Sequence, residues 1–195
     1  MNKKVQSGKK TADRLLAIAK KAFAEKGFAA TTTQEIIARA KVTKGALYHH
    51  FPSKEHLFEA VYRAMEDEVS QQIDAATSAV DDPWDKLTAG CIAYLQAFRE
   101  SARRRVLRFD GPAVLGHDAW AAIDHEYGLH RLTPFISQLI ASGVVRAPSA
   151  EALARLLTGA MNEATFWIAE HEKPEEAFDL SRRTLLQLLE SVKAR

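Results

Sequence analysis

Apolar residues recur every three and four positions along almost the whole chain, glycine and proline are sparse, and β-branched runs are short. That pattern predicts an all-α protein of about nine helices. The first spans about 11–26, with Leu15, Leu16, Ile18, Ala19, Ala22 and Phe23 as its buried stripe and Gly27 closing it in a left-handed cap. The next three are expected at 32–40, 43–50 and 54–79, and the remainder at about 83–100, 102–109, 117–141, 149–171 and 175–193.

The boundaries follow from capping chemistry. Thr32-Thr33-Gln34-Glu35 fits a capping box in which Thr32 and Glu35 satisfy each other's free amides. Thr43 and Ser53 can cap the third and fourth helices, and Asp82 can cap a helix that carries Pro83 in its first turn. Asp110-Gly111-Pro112, Gly143 and Pro148-Ser149 supply the later breaks. The first ten residues look like a disordered basic tail.

Charge divides the chain in a way that its total of +2 conceals. Residues 1–54 hold twelve lysines and arginines against Asp13, Glu25 and Glu35, a net +9, which leaves −7 for the rest. A first quarter so basic is built to meet a polyanion, either nucleic acid or an anionic membrane surface. Two domains follow, 1–54 and 55–195. No stretch reaches the roughly 20 apolar residues of a membrane span, and the amino terminus has no apolar signal-peptide core, which predicts a cytoplasmic protein.

Two short helices three residues apart are the arrangement that lets the second helix enter a DNA major groove at a fixed angle. On the third helix, Leu47 and Phe51 anchor the inner face with Ile36 and Val42, leaving Lys44, Gly45, Tyr48 and His49 outward on a face with donors and no carboxylate. Lys44 and Lys54 can neutralise phosphates, the hydroxyls of Thr32, Thr43 and Tyr48 can donate to phosphate oxygens, and Gly45 permits close approach of the backbone. Taken singly, each residue also has a plainer role: Thr32 and Thr43 as caps, Tyr48 as a half-buried aromatic, the lysines as solvated charges.

Together these residues carry a resemblance. The run GFAATTTQEIIARAKVTKGALYHHFPSKEHLF is similar throughout to the amino-terminal domain of TetR-family regulators, most specifically in VTKGALYHHFPSKEHLF. The resemblance implies that Thr32 caps the second helix and touches phosphate, that Thr43, Lys44, Tyr48 and Lys54 bind the DNA backbone, and that Gly45, Ala46, His49 and His50 approach bases or phosphates. It further implies a second, helical domain that dimerises and holds a small ligand. Two positions depart from the family: Lys41 stands in a turn where glycine is usual, either straining a left-handed turn or adding a phosphate contact, and Ile37 replaces the usual alanine.

A single short recognition helix reads few base pairs, so a homodimer on a palindromic site is expected. The last two helices are the predicted interface, because Leu153, Leu156, Leu157, Ala160, Met161 and Ala164 on one, and Phe178, Leu185, Leu188, Leu189 and Val192 on the other, exceed what one face needs. Periodicity alone leaves open whether they close a monomer's core instead. A ligand pocket is sought between the helices of 83–141 and the inner face of 149–171, where Phe98, Trp120, Tyr127, Asn162, Phe166 and Trp167 mix aromatic surface with polar groups. Asn162-Glu163 interrupts an apolar helix, and a structural partner is favoured over a ligand there.

Other chemistry is weaker. His117, His125 and His130 lack the four-residue spacing of a helical metal pair, so no metal and no cofactor are expected. Cys91 fits core packing, and Arg99, Arg103, Arg104, Arg105 and Arg108 are expected to ion-pair within their domain. A helical-bundle enzyme would want a Glu-x-x-His motif, and a membrane adaptor would want bulky apolar residues beside its lysines. The reading that remains is a repressor, not an enzyme, that binds double-stranded operator DNA as a dimer and is released by an unknown small-molecule effector.

Overall fold

A computed structural model describes residues 3–194 of the chain. Among them nine helices form, the first of them kinked at Gly27, and no strand, apart from one isolated antiparallel bridge between Val145 and Lys193. We label them α1 (Lys3–Ala30), α2 (Thr33–Ala40), α3 (Lys44–His50), α4 (Lys54–Thr77), α5 (Pro83–Ala97), α6 (101–115), α7 (117–141), α8 (Ala150–Glu170) and α9 (Pro174–Glu190). Among the described residues no helix is long and apolar enough to cross a membrane.

The chain divides into two compact units. The first holds the residues up to Met65 together with Arg105–Trp120, and the second holds Glu66–Arg104 and Ala121 onward. Helix α4 contributes its first half to one and its second half to the other. In the first unit Leu15, Phe23, Ile36, Leu47, Phe58 and Val61 are fully buried, each contributing about 1.5–3 kcal/mol by leaving water. The second has its own core, including Trp84, Leu87, Leu95, Ile136, Leu157, Phe178 and Leu189.

Local capping chemistry behaves as the sequence predicts at Thr32, Thr43, Ser53 and Asp82, and Ser149, read from the sequence only as part of a break, caps as well. Thr32, Thr43, Asp82 and Ser149 each accept the amide three residues on, at 3.2, 3.2, 2.9 and 3.2 Å, and Ser53 Oγ accepts from His56 N–H at 3.3 Å. The capping box is half realised. Glu35 N–H reaches Thr32, but its carboxylate turns to Lys26 and Arg39, both at 2.7 Å, because two cations outbid one amide.

Helix boundaries depart from expectation in two places. Helix α1 is regular from Lys3, so the supposed tail is helical beyond the undescribed residues 1 and 2. Once the packed turns around Leu15 and Ala19 exist, extending the helix upstream needs no new nucleus. Helix α6 runs straight through Asp110-Gly111-Pro112 by widening to a π-helix over Arg105–Asp110, and Pro112 is the second residue of the α-helical stretch that resumes at Gly111. Gly111 is required there, since a β-carbon would stand 2.6 Å from the ring of Tyr62.

The turn after α2 is the strained point of the backbone. Lys41 sits at φ 50, ψ 47, the one non-glycine with positive φ among the described residues. Left-handed backbone costs such a residue about 1–2 kcal/mol, part of which glycine's larger unfolded-state freedom returns. Lys41→Gly is therefore expected to raise stability by about 0.5–1 kcal/mol, seen as a higher midpoint in urea. A lowered midpoint would mean that the lysine side chain contributes more than its backbone costs.

Candidate nucleic-acid interface

Helices α2 and α3 are separated by Lys41, Val42 and Thr43, and their shared inner side is fixed by buried Ile36, Ala40 and Leu47. Opposite them, Thr32, Thr43, Lys44, Gly45, Tyr48 and His49 are exposed, while Ala46, His50 and Lys54 are half-buried. Thr32 and Thr43 use a hydroxyl lone pair to cap, and a hydroxyl that accepts in this way still has a proton to give. Capping and phosphate binding are thus compatible in the same side chain. Tyr48 lies with the Lys44 ammonium 5.9 Å from its ring, and His49 and His50 meet edge to face at 5.2 Å. Helix α3 carries no carboxylate. The surface offers donors and positive charge on one short helix, which suits a phosphodiester groove.

Lys54 is differently placed. Its ammonium stands 4.0 Å from the centre of the Phe28 ring, and burial lowers its proton affinity below the usual lysine range, with Glu55 and Asp110 opposing that shift. Lys54 therefore helps to hold the reading head together as well as adding charge to it.

The head is positioned by residues that the sequence alone did not single out. At Gly27 the chain turns with φ 80, ψ 170, a region open to glycine, and not the left-handed helical cap first expected. Buried Thr31 donates to Gly27 O at 2.8 Å, Asp110 accepts the Phe28 amide at 2.8 Å, and Arg105 donates to Glu25 O at 2.6 Å. The last two of these bonds tie the end of α1, and so the entry to α2, to residues eighty positions away. No local signal in the sequence marks Asp110 or Arg105 for that task.

Within the second unit lies a cavity of about 300 Å³, lined by the second half of α4, by α5, by the π-helical stretch of α7 at His125–Leu129 and its neighbours, and by Thr158 and Met161 of α8. Of the six residues expected at a pocket, Tyr127 lines it, donating to Asp67 at 3.0 Å. Asn162 stands behind the wall, accepting from the Tyr94 hydroxyl and donating to Asp124 at 3.4 Å. Phe98 is core, 1% exposed, and Trp120 belongs to the first unit, where its indole N–H donates to Leu107 O at 3.4 Å. Phe166 is half-buried, and Trp167 is on the surface edge to face with His171. Tyr94, Cys91, Arg131 and Phe135 line the cavity without having been anticipated. Burial pushes the Cys91 thiol up to about 12, so it packs as an inert wall group.

The arginine run resolves into structural work that is only partly ionic. Arg99 pairs with Glu175 and Arg103 with Glu100 at 3.3 Å, whereas Arg104 donates to Phe98 O at 2.7 Å, at the carboxyl end of α5. On α8 and α9, burial separates core from surface. Leu157, Met161, Phe178, Leu185 and Leu189 are buried, whereas Leu156, Trp167, Leu180 and Leu188 are exposed by 72, 41, 39 and 51%. Among the described residues no cluster of three histidine, cysteine or carboxylate ligands forms.

Comparison with known proteins agrees with this geometry. Residues 15–61 match the family model for bacterial regulatory proteins of the tetR family, and residues 84–192 match that for the tetracyclin repressor-like C-terminal domain. A crystal structure of a TetR-family transcriptional regulator from Pectobacterium atrosepticum superposes with a TM-score of 0.85 at 32% identity, covering 100% of this chain and 99% of that one. The transposon Tn10 TetC protein of Escherichia coli is 28% identical over 81% of this chain and 80% of its own length. The transcriptional repressor KstR2 of Mycolicibacterium smegmatis is 37% identical over 50% of this chain and 48% of its own.

Proposed function

The chain belongs to the TetR family of DNA-binding transcriptional regulators, and on that premise we propose that it is a dimeric repressor whose α3 helices enter successive major grooves of a palindromic operator. Tyr48, Lys44, Thr43 and Thr32 hold the phosphate backbone, and Gly45, Ala46, His49 and His50 approach the bases. The observation that carries this reading is the outer face of α2 and α3, where exposed donors stand around a carboxylate-free helix on a rigid core. Dimerisation uses the exposed leucines of α8 and α9, which a monomer gains nothing by displaying.

The cavity of the second unit is the effector site. Helix α4 contributes to that wall and to the reading head, so an effector that fits one spacing of the heads better than another shifts affinity by differential binding, without chemistry. Such a protein works on chromosomal DNA in the bacterial cytoplasm.

Binding to the protein's own upstream intergenic DNA tests the proposal. Specific affinity should exceed that for unrelated duplex by roughly a thousandfold, with a footprint of two half-sites. Tyr48→Phe removes one hydroxyl and leaves the ring. A hydrogen bond to a charged group is worth about 1.5–3 kcal/mol, and a dimer loses two, so operator affinity should fall by about a hundredfold or more with the fold unchanged. Wild-type affinity in that variant would remove the Tyr48 hydroxyl from the phosphate contacts. Lys54→Ala is the less clean test, because it also strips the cation from Phe28.

A further inference from the structure

We propose that Lys9 and Lys10 form a second phosphate-binding surface of the reading head, gripping the DNA backbone that borders the groove entered by α3. The inference rests on the operator-binding reading above and adds residues outside the helix-turn-helix.

Three observations place these lysines there. First, α1 is helical from Lys3, so Lys9 and Lys10 are carried on a formed helix and not on a loose tail. Second, that helix passes the carboxyl end of α3: a β-carbon on Gly8 would lie 3.8 Å from Cε1 of His50. At 1.5 Å of rise and about 100° of turn per residue, Lys9 and Lys10 stand within about 3 Å of Gly8 along the axis, level with the end of the recognition helix, and project to the sides of α1 turned away from His50, where they are exposed. Third, α1 turns Leu15 and Ala19 inward and leaves Lys9 and Lys10 exposed. The only carboxylate before Glu25 is Asp13, so this turn is strongly positive.

A recognition helix in a major groove is flanked on each side by a phosphate strand. A basic helix level with its carboxyl end therefore faces one of those strands, whose charge it can neutralise with release of counterions. Because the helix already exists in the free protein, little backbone entropy is lost on binding, in contrast to a tail that must order.

The test compares wild-type protein with Lys9→Gln/Lys10→Gln and with Lys9→Arg/Lys10→Arg, titrating the full-length dimer against operator and unrelated duplex over a range of salt. The glutamine variant should weaken binding to both duplexes alike and reduce the slope of log affinity against log salt by about 1 for each lysine in each head. The footprint should stay in place. The arginine variant keeps charge and helix and should keep the slope, an outcome that a merely structural role for the lysines would not require. An unchanged slope in the glutamine variant, with wild-type protein binding its operator, overturns the proposal alone. Wild-type protein that fails to prefer its operator overturns the underlying reading and this inference with it.

Discussion

Replacing Phe58 by alanine is expected to cost about 3–5 kcal/mol and to melt the reading head at temperatures where the wild type is folded. Phe58 is fully buried and meets Phe23 edge to face at 5.3 Å and Phe28 at 5.2 Å, while the Lys54 ammonium stands 4.0 Å from the centre of the Phe28 ring. Truncation removes two aromatic pairs, each worth about 0.5–1.5 kcal/mol beyond its area, and leaves a cavity between α1 and α4 that rigid helices cannot close. Such a loss is a large fraction of what a domain of this size has to spare. The thermal midpoint of the head should drop by roughly 12 to 40 °C, and operator binding should vanish before the second unit loses helicity, because that unit has a separate core. An unchanged midpoint would show that the three-ring cluster contributes little, contrary to its burial.

Leu188→Asp is expected to have a comparable effect through a different route. Leu188 is 51% exposed on α9, and with Leu180 on the same helix and Leu156 and Trp167 on α8 it makes up the exposed large apolar side chains of these two helices. In a monomer the substitution replaces a solvated leucine by a solvated carboxylate and should leave stability within about half a kcal/mol. In a two-fold dimer built on this surface it buries two carboxylates at one interface, each costing several kcal/mol unless paired. Dimer affinity should fall by roughly a thousandfold or more, visible as a monomer in sedimentation with unchanged circular dichroism. Operator affinity should fall with it, since a lone head reads one half-site. A variant that stays dimeric would move the interface to another face.

What was legible in the sequence was what neighbours in the chain decide among themselves. Helix starts at Thr32, Thr43, Ser53 and Asp82 are fixed by a side chain and an amide three residues apart, so the caps form wherever the rest of the protein puts them. The charge split between residues 1–54 and the remainder is likewise independent of folding. The outward set on α3 follows from helical period once Leu47 is taken as buried.

Tertiary structure decided the rest. Leu156 and Leu157 are adjacent and chemically identical, yet one is 72% exposed and the other 5%, because a helix rotates about 100° per residue and only the packed neighbours say which direction is inside. Asp110 caps the Phe28 amide across 82 positions, a bond that no window of sequence contains. The cavity drew Tyr94, Tyr127 and Phe135 and passed over Trp167, since a cavity is the space that packing leaves, and aromatic content does not locate it. The helical path of α1 past His50 was hidden for the same reason: the sequence determined that Lys9 and Lys10 are basic, and only the packing of α1 against its neighbours decided that the turn carrying them passes the end of the recognition helix.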